Sequence, residues 1–197
     1  VIERFKRVDL HPDVVDNPTM GGIFEELIRK FNEALNENPG EHFTPREVIR
    51  LMVDLLFIGD GELLTKPGIV KTIFDPACGT GGMLSVAEEY LREHNPAGTL
   101  RVFGQELNAE TYAITKADLL LKGEGEEAEN FRHGSTLSQD GFPSREFDFM
   151  LSNPPYGKSW KTDLERMGGK TEITDPRFVI EHGGDPEFKL LTRSSDG

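Results

Sequence analysis

The run Val70 to Phe74 is short, β-branched and largely apolar, and it ends on Asp75. It passes at once into Pro76-Ala77-Cys78-Gly79-Thr80-Gly81-Gly82. A strand that stops on an acid and feeds a glycine-rich bend must turn in little space, which glycine permits because it has no Cβ. The spacing then predicts a helix from about Gly82 to His94, and Asn95-Pro96-Ala97-Gly98 makes a turn. The unit repeats. Leu100 to Gln105 reads as a strand ending at Glu106, and a helix runs from about Ala109 to Lys122. A brief strand follows around residues 130–133, and Phe147 to Leu151 is an apolar run entering Ser152-Asn153-Pro154-Pro155-Tyr156. The acidic stretch Glu124 to Glu129 reads as a solvated loop. Strands alternating with helices argue for an α/β fold with a doubly wound parallel sheet. Ligands of such sheets bind beyond the carboxyl ends of the strands. Asp75, Glu106, the segment after His133, and Asn153 are therefore expected to meet in one crevice.

Upstream, Ile23, Phe24, Leu27, Ile28, Phe31 and Leu35 have helical spacing, so a helix is expected from about Met20 to Leu35. His42-Phe43-Thr44-Pro45-Arg46-Glu47 precedes a second amphipathic run. Thr44 suits a cap there, Pro45 the first turn, and Glu47 a capping box. Gly59-Asp60-Gly61 and Lys66-Pro67-Gly68 are loop signals. The expected organisation is a helical segment over 1–58 and the N-terminal part of a doubly wound, Rossmann-like core over 59–157. Residues 158–197 would form a mobile loop or begin the rest of the core.

Composition narrows the class. The 197 residues include 22 basic against 35 acidic side chains, a net charge of −13. Spread evenly, that charge repels a phosphate backbone, so an autonomous nucleic-acid binder is not expected. Cys78 is the single cysteine, and the five histidines lack close metal-ligand spacing, so neither a disulfide nor a metal site is expected. No long apolar run suggests a membrane span, and a reducing cytoplasm fits best.

The glycine bend constrains its ligand. A P-loop wants Gly-Lys-Ser/Thr, whereas Met83 and Leu84 follow Gly82 here. A dinucleotide site stays open, since Glu106 at the next strand end suits a ribose diol, but the spacing is Gly-x-Gly-Gly. Asp75 at the loop entrance would repel a pyrophosphate and suits an ammonium group. S-adenosylmethionine carries an ammonium, a carboxylate, a ribose and an adenine. A plain strand-to-helix turn is the simpler alternative. Cys78, inside the bend, reads as a small packing residue.

Asn153-Pro154-Pro155-Tyr156 is the sharper signal. Two prolines make a rigid extended turn. The Asn side-chain oxygen and the Pro154 carbonyl can accept hydrogen bonds from one planar amino group, on whose ring Tyr156 can stack. Such a site orients a nitrogen lone pair without a strong base, by positioning and electrostatics. A proline-rich turn packed by an aromatic is the alternative. Trp160 and Lys158 read as loop packing and solvated surface.

Together, DPACGTGGM, GQELN, SNPPYG and the upstream HFTPREV resemble the amino-methyltransferases of DNA, over roughly residues 20–160. They most resemble the methylation (modification) subunit of type I restriction-modification systems, which methylates adenine at N6. The Asn-Pro-Pro-aromatic element is shared with some N4-cytosine and protein-glutamine methyltransferases. The helical leader with Phe43-Thr44-Pro45 narrows the resemblance to the DNA group.

The resemblance implies a Rossmann-like S-adenosylmethionine-dependent methyltransferase sheet. It implies that Phe43 and Thr44 flank the methionine end of the cofactor, and that Asp75, Ala77, Gly79, Thr80 and Gly81 line the same end. Glu106 would bind the ribose. Asn153, Pro154 and Pro155 would form the catalytic turn holding the target amino group, with Tyr156 stacked on a base flipped from the duplex. Ser135 departs from the family pattern, which has Asp or Asn beside the cofactor adenine, so a contact that is weaker or shifted to the neighbouring backbone is expected there. The implied partners are DNA, a specificity subunit and a restriction subunit. The family sheet has seven strands and only four are signalled here, so a fragment is expected, active in a complex or limited to holding cofactor. Its open strand edge, with Phe147, Phe149 and Leu151, would be covered by a second copy or by the tail.

Overall fold

The computed structural model describes residues 44–121, 125–169, 175–182 and 185–188, with residues 11, 14, 15, 19, 23 and 173 besides. Apart from Ile23, the helix expected over 20–35 lies outside the described residues, as does Phe43. The chain runs α1 (Arg46–Phe57), α2 (Gly61–Thr65), β1 (Val70–Asp75), α3 (Gly82–His94), β2 (Thr99–Glu106) and α4 (Ala109–Leu121). It continues through α5 (Gly125–Ala128), β3 (Phe131–His133), β4 (Phe149–Met150), α6 (Lys161–Arg166), a 3-10 turn (Pro176–Phe178), β5 (Val179–His182) and β6 (Asp185–Phe188).

Four strands form one parallel sheet in the order β3-β2-β1-β4, and β5 and β6 pair as a separate antiparallel hairpin. The chain steps outward from β1 to β2 to β3, then returns to the other side of β1. That reversal defines a doubly wound sheet and opens a crevice between the loops leaving β1 and β4. β1 and β2 align along their lengths, from Val70 opposite Thr99 to Asp75 opposite Gly104.

Alternate residues of β1 face opposite ways, and the two cores reflect this. Ile73 and Val102 pack with Ile49, Val53 and Phe57 of α1, Leu84, Ala87 and Leu91 of α3, and Leu119 of α4. Phe74 and Phe103 face an aromatic cluster with Phe142 and Phe147 from the β3–β4 segment. Phe74 and Phe147 stack with centroids 4.7 Å apart, and the Arg145 guanidinium lies 3.9 Å from the Phe103 ring centroid. Arg46–Glu89 and Arg50–Glu93 ion pairs bridge α1 and α3 at the surface. Such exposed pairs stabilise little, so the buried apolar face of α1 holds that contact.

β4 pairs with β1 through only two residues, Phe149 and Met150. Asp148, just before it, supplements the ladder. Its carboxylate accepts from Thr72 N at 2.9 Å, Thr72 Oγ1 at 2.8 Å and Lys71 Nζ at 3.1 Å. Burial raises its pKa, but these hydrogen bonds outweigh that and hold it below the usual carboxylate value. β4 is the edge of the sheet, with Met150 exposed and Leu151 buried. Among the described residues no further strand joins it.

Three local expectations are corrected. The capping box at Thr44 does not form: Pro45 is the N-cap of α1 and no side chain caps it. The Thr44 hydroxyl is instead used across the chain, by Asn153. Residues 125–128 of the acidic stretch are a helical turn rather than a loop, because Ala128 is buried and Lys116 Nζ donates to its carbonyl at 2.5 Å. The loop signal at Gly61 gives way to α2, since Asp60 Oδ1 accepts from Leu63 N at 3.2 Å.

Gly104 on β2 is where the sheet admits the glycine bend. A Cβ there would lie 2.6 Å from the Phe131 ring and 2.9 Å from Cys78 Sγ. Gly104→Ala should therefore lower stability by about 1–3 kcal/mol through overpacking. Urea denaturation would read this as a lower midpoint at unchanged slope; an unaltered midpoint would contradict the packing described.

Candidate active site

Asp75 sits at the tip of β1 and is only 1% exposed. Its Oδ1 accepts from Ala77 N at 3.0 Å, which forms the first turn of the bend. Its Oδ2 is buried without a hydrogen bond, and so is Ser152 Oγ at the tip of the neighbouring β4. Leu151 N donates to Phe74 O at 3.0 Å, so the two strands deliver Asp75 and Ser152 to the crevice side by side. Burial pushes the Asp75 pKa up to about 6, with the Glu106 charge adding to the rise. The Ala77 N–H and the nearby Ser152 hydroxyl oppose it, although the hydroxyl lies outside good hydrogen-bond geometry. A buried carboxyl with one open oxygen can accept from a cationic donor.

The glycine bend is held from three directions. Cys78 N donates to Gln105 O at 3.0 Å, docking the bend onto β2. Gly79 N donates to Glu106 Oε2 at 2.8 Å, and Thr115 Oγ1 of α4 donates to Gly79 O at 2.7 Å. Gly79 has φ 55° and Gly81 φ 82°, a left-handed conformation that favours glycine. Gly81 is the N-cap of α3, and no side chain caps that helix. Its first N–H groups are thus left for an outside acceptor. The intermediate burial of Ala77, Gly79 and Thr80 leaves this stretch of backbone partly accessible.

Glu106 carries more load than expected. Its Oε1 accepts from Asn108 N at 2.7 Å while Oε2 holds Gly79. Each carboxylate oxygen has two lone pairs, so both keep capacity for a hydroxyl donor. Burial pushes the Cys78 thiol up, with the Asp75 and Glu106 charges adding to it, so it is held as a neutral packing group. Ser135 is buried, and its Oγ accepts from Leu137 N at 3.3 Å.

On the other wall, Asn153 Nδ2 donates to Thr44 Oγ1 at 2.9 Å. This bond joins the segment before α1 to the turn after β4, 109 residues apart in sequence. It leaves Asn153 Oδ1 as an acceptor. Asn153, Pro154 and Pro155 are exposed, and the Tyr156 side chain is fully so. The structure therefore brings Thr44, Asp75, Ala77, Gly79, Thr80, Gly81, Glu106, Ser135 and Asn153 to one end of the sheet. Tyr156 stands clear of the protein. Thr115 and Gln105 also shape this end but were not read as site residues from the sequence: one is a mid-helix threonine, the other a strand glutamine within the GQELN motif.

The sequence matches the N-6 DNA Methylase family over residues 15–188. The type I restriction enzyme MjaIX methylase subunit of Methanocaldococcus jannaschii is 30% identical over 182 residues, covering 91% of this chain and 29% of that protein. The EcoEI methylase subunit of Escherichia coli is 27% identical over 174 residues, covering 84% and 33% respectively. The crystal structure of a type I restriction-modification system methyltransferase subunit from Streptococcus thermophilus superposes with a TM-score of 0.51 at 34% identity, over 65% of this chain and 26% of that one. The chain thus spans about a third or less of the length of these relatives. With the glycine bend, the strand-tip acids and the Asn-Pro-Pro-Tyr turn gathered at one end of a doubly wound sheet, the chain belongs to the N-6 DNA methylase family.

Proposed function

We propose that this chain forms the cofactor-binding and amino-group-binding part of an S-adenosylmethionine-dependent adenine-N6 methyltransferase of DNA. The observation that carries the reading is the buried Asp75 carboxyl, its Oδ2 unpartnered beside Ser152, at the strand-order reversal next to the Asn153 turn. An orphaned buried acid is costly unless a ligand completes it. The ammonium of S-adenosylmethionine would complete it, the uncapped start of α3 suits its carboxylate, and the spare lone pairs of Glu106 suit the ribose diol. When bound, S-adenosylmethionine supplies a methyl group activated by its sulfonium.

This chain's own residues then have two tasks. The acids and the bend hold the donor side. Asn153 Oδ1 and the Pro154 carbonyl accept from the two N–H bonds of an amino group, which turns the nitrogen lone pair away from them. Thr44 fixes the Asn153 carboxamide so that its oxygen, not its nitrogen, is presented. Exposed Tyr156 offers a face for the base. Positioning of this kind can supply much of the rate enhancement.

The net charge of −13 supports action on DNA together with a neutralising partner or a further segment that carries much of the phosphate contact. The similar proteins are named as methylase subunits of type I restriction enzymes, which supports work within a multi-subunit assembly; a specificity subunit and a restriction subunit are the partners we assign to it. No described helix is long and apolar enough to cross a membrane.

Two outcomes test the reading. Asn153→Ala should reduce methyl transfer to adenine in duplex DNA by roughly 100-fold or more, while S-adenosylmethionine binding by calorimetry stays near wild type. Loss of both, or of neither, would contradict the role given to Asn153.

Asp75 gives a pH signature. Its folded pKa of about 6 exceeds the ordinary 3.8, so its contribution to stability is present below about pH 4 and lost as pH rises through 6. Asp75→Asn should thus stabilise the ligand-free chain by about 3 kcal/mol at pH 8, read as a higher thermal midpoint than wild type, with the gap closing by pH 4. The same substitution should weaken S-adenosylmethionine binding roughly ten-fold or more at pH 8. A variant that binds normally would remove Asp75 from the cofactor site.

A further inference from the structure

We propose that Gln105 is a positioning residue for the adenine side of the cofactor site, acting through the loop that follows β3. The proposal rests on the cofactor reading above. Gln105 is fully buried on β2, one residue before Glu106. Its side-chain hydrogen bonds all go to the backbone of one loop. Nε2 donates to the carbonyls of Gly134 at 3.2 Å and Gln139 at 2.7 Å, and Oε1 accepts from Gly141 N at 3.1 Å. These three bonds staple residues 134–141 to the strand tip.

The loop is also closed on itself and tied to the bend. Gln139 N donates to Ser135 O at 2.8 Å, and Thr136 Oγ1 donates to the Pro76 carbonyl at 2.5 Å. Ser135, which the family resemblance implies lies beside the cofactor adenine, stands between the Gly134 and Thr136 anchors. Gly141 permits the close approach: a Cβ there would lie 2.8 Å from the Arg132 side chain and 3.1 Å from Gln105 Oε1.

A carboxamide is the side chain that fits this position. It must present two N–H donors to two carbonyls and an oxygen to one N–H. A carboxylate would set negative oxygens against both carbonyls, and an apolar side chain would orphan all three backbone groups. Gln105 makes no contact of its own with the proposed reacting groups, so its effect is on where Ser135 and Pro76 stand.

The test compares wild type, Gln105→Glu, Gln105→Met and Leu91→Ala, a core variant in α3 remote from the loop. Each is titrated with S-adenosylmethionine by calorimetry at a temperature where circular dichroism shows it folded. Gln105→Glu and Gln105→Met should bind roughly ten-fold or more weakly. Leu91→Ala should lose thermal stability yet bind within about two-fold of wild type. In the assembled enzyme, Gln105→Glu should raise KM for the cofactor more than it lowers kcat. Should both Gln105 variants fail to fold, Gly141→Ala disturbs the same staple from the loop side and should weaken binding likewise. Wild-type binding with unaltered affinity in a folded Gln105 variant overturns this inference alone. So does an equal loss of affinity in Leu91→Ala. Absence of binding by wild type overturns the cofactor reading and this inference together.

Discussion

β1 is hydrogen-bonded on both sides, to β2 along six aligned residues and to β4 near its tip. Because all three strands are parallel, every loop of chemical interest leaves from the same end. Because β2 and β4 flank β1, the glycine bend and the Asn-Pro-Pro-Tyr turn leave side by side. The weak member of this arrangement is β4, with two paired residues. Asp148 compensates by gripping the backbone and hydroxyl of Thr72, so a side chain does part of a ladder's work. The placement of Asn153 therefore depends on a carboxylate five residues earlier.

The same end of the sheet stores a conflict between stability and binding. Asp75, Ser152 and Cys78 occupy a dry strand tip, and a charge on Asp75 there is opposed both by burial and by Glu106. Glu106 is tolerated because two backbone N–H groups, from Gly79 and Asn108, solvate it. Asp75 has one such donor and one open oxygen. The two acids thus have different characters: Glu106 is held by backbone donors, whereas a charge on Asp75 is destabilising. Native proteins commonly concentrate such unsatisfied groups where a ligand completes them.

Much of the architecture was legible along the chain. The helix expected from Gly82 to His94 is found with those bounds, and β1, β2, α4 and β3 lie within a residue or two of their expected limits. Local signals carry these elements: β-branched runs, helical spacing, and Pro and Gly punctuation. α2 and α5 escaped that reading because five- and four-residue helices carry too little periodicity, and tertiary burial of Leu63 and Ala128 holds them. Thr44 misled for a different reason. A threonine before a proline looks like a cap, but its hydroxyl was claimed by Asn153 from across the fold.

The alternation of β1, α3, β2, α4, β3 and β4, and the placing of Asp75, Glu106 and Asn153 at or just beyond strand carboxyl ends, were determined by the sequence alone. They depend on residue type and local spacing. The tertiary structure decided which groups are already bonded and which are left open. It turned Glu106 onto Gly79, left Asp75 Oδ2 unpartnered, locked Asn153 against Thr44 and recruited Gln105 and Thr115 as backbone clamps. Those outcomes depend on burial and on partners tens of residues away, where desolvation makes each unmade hydrogen bond costly, and no window of neighbouring residues contains that information.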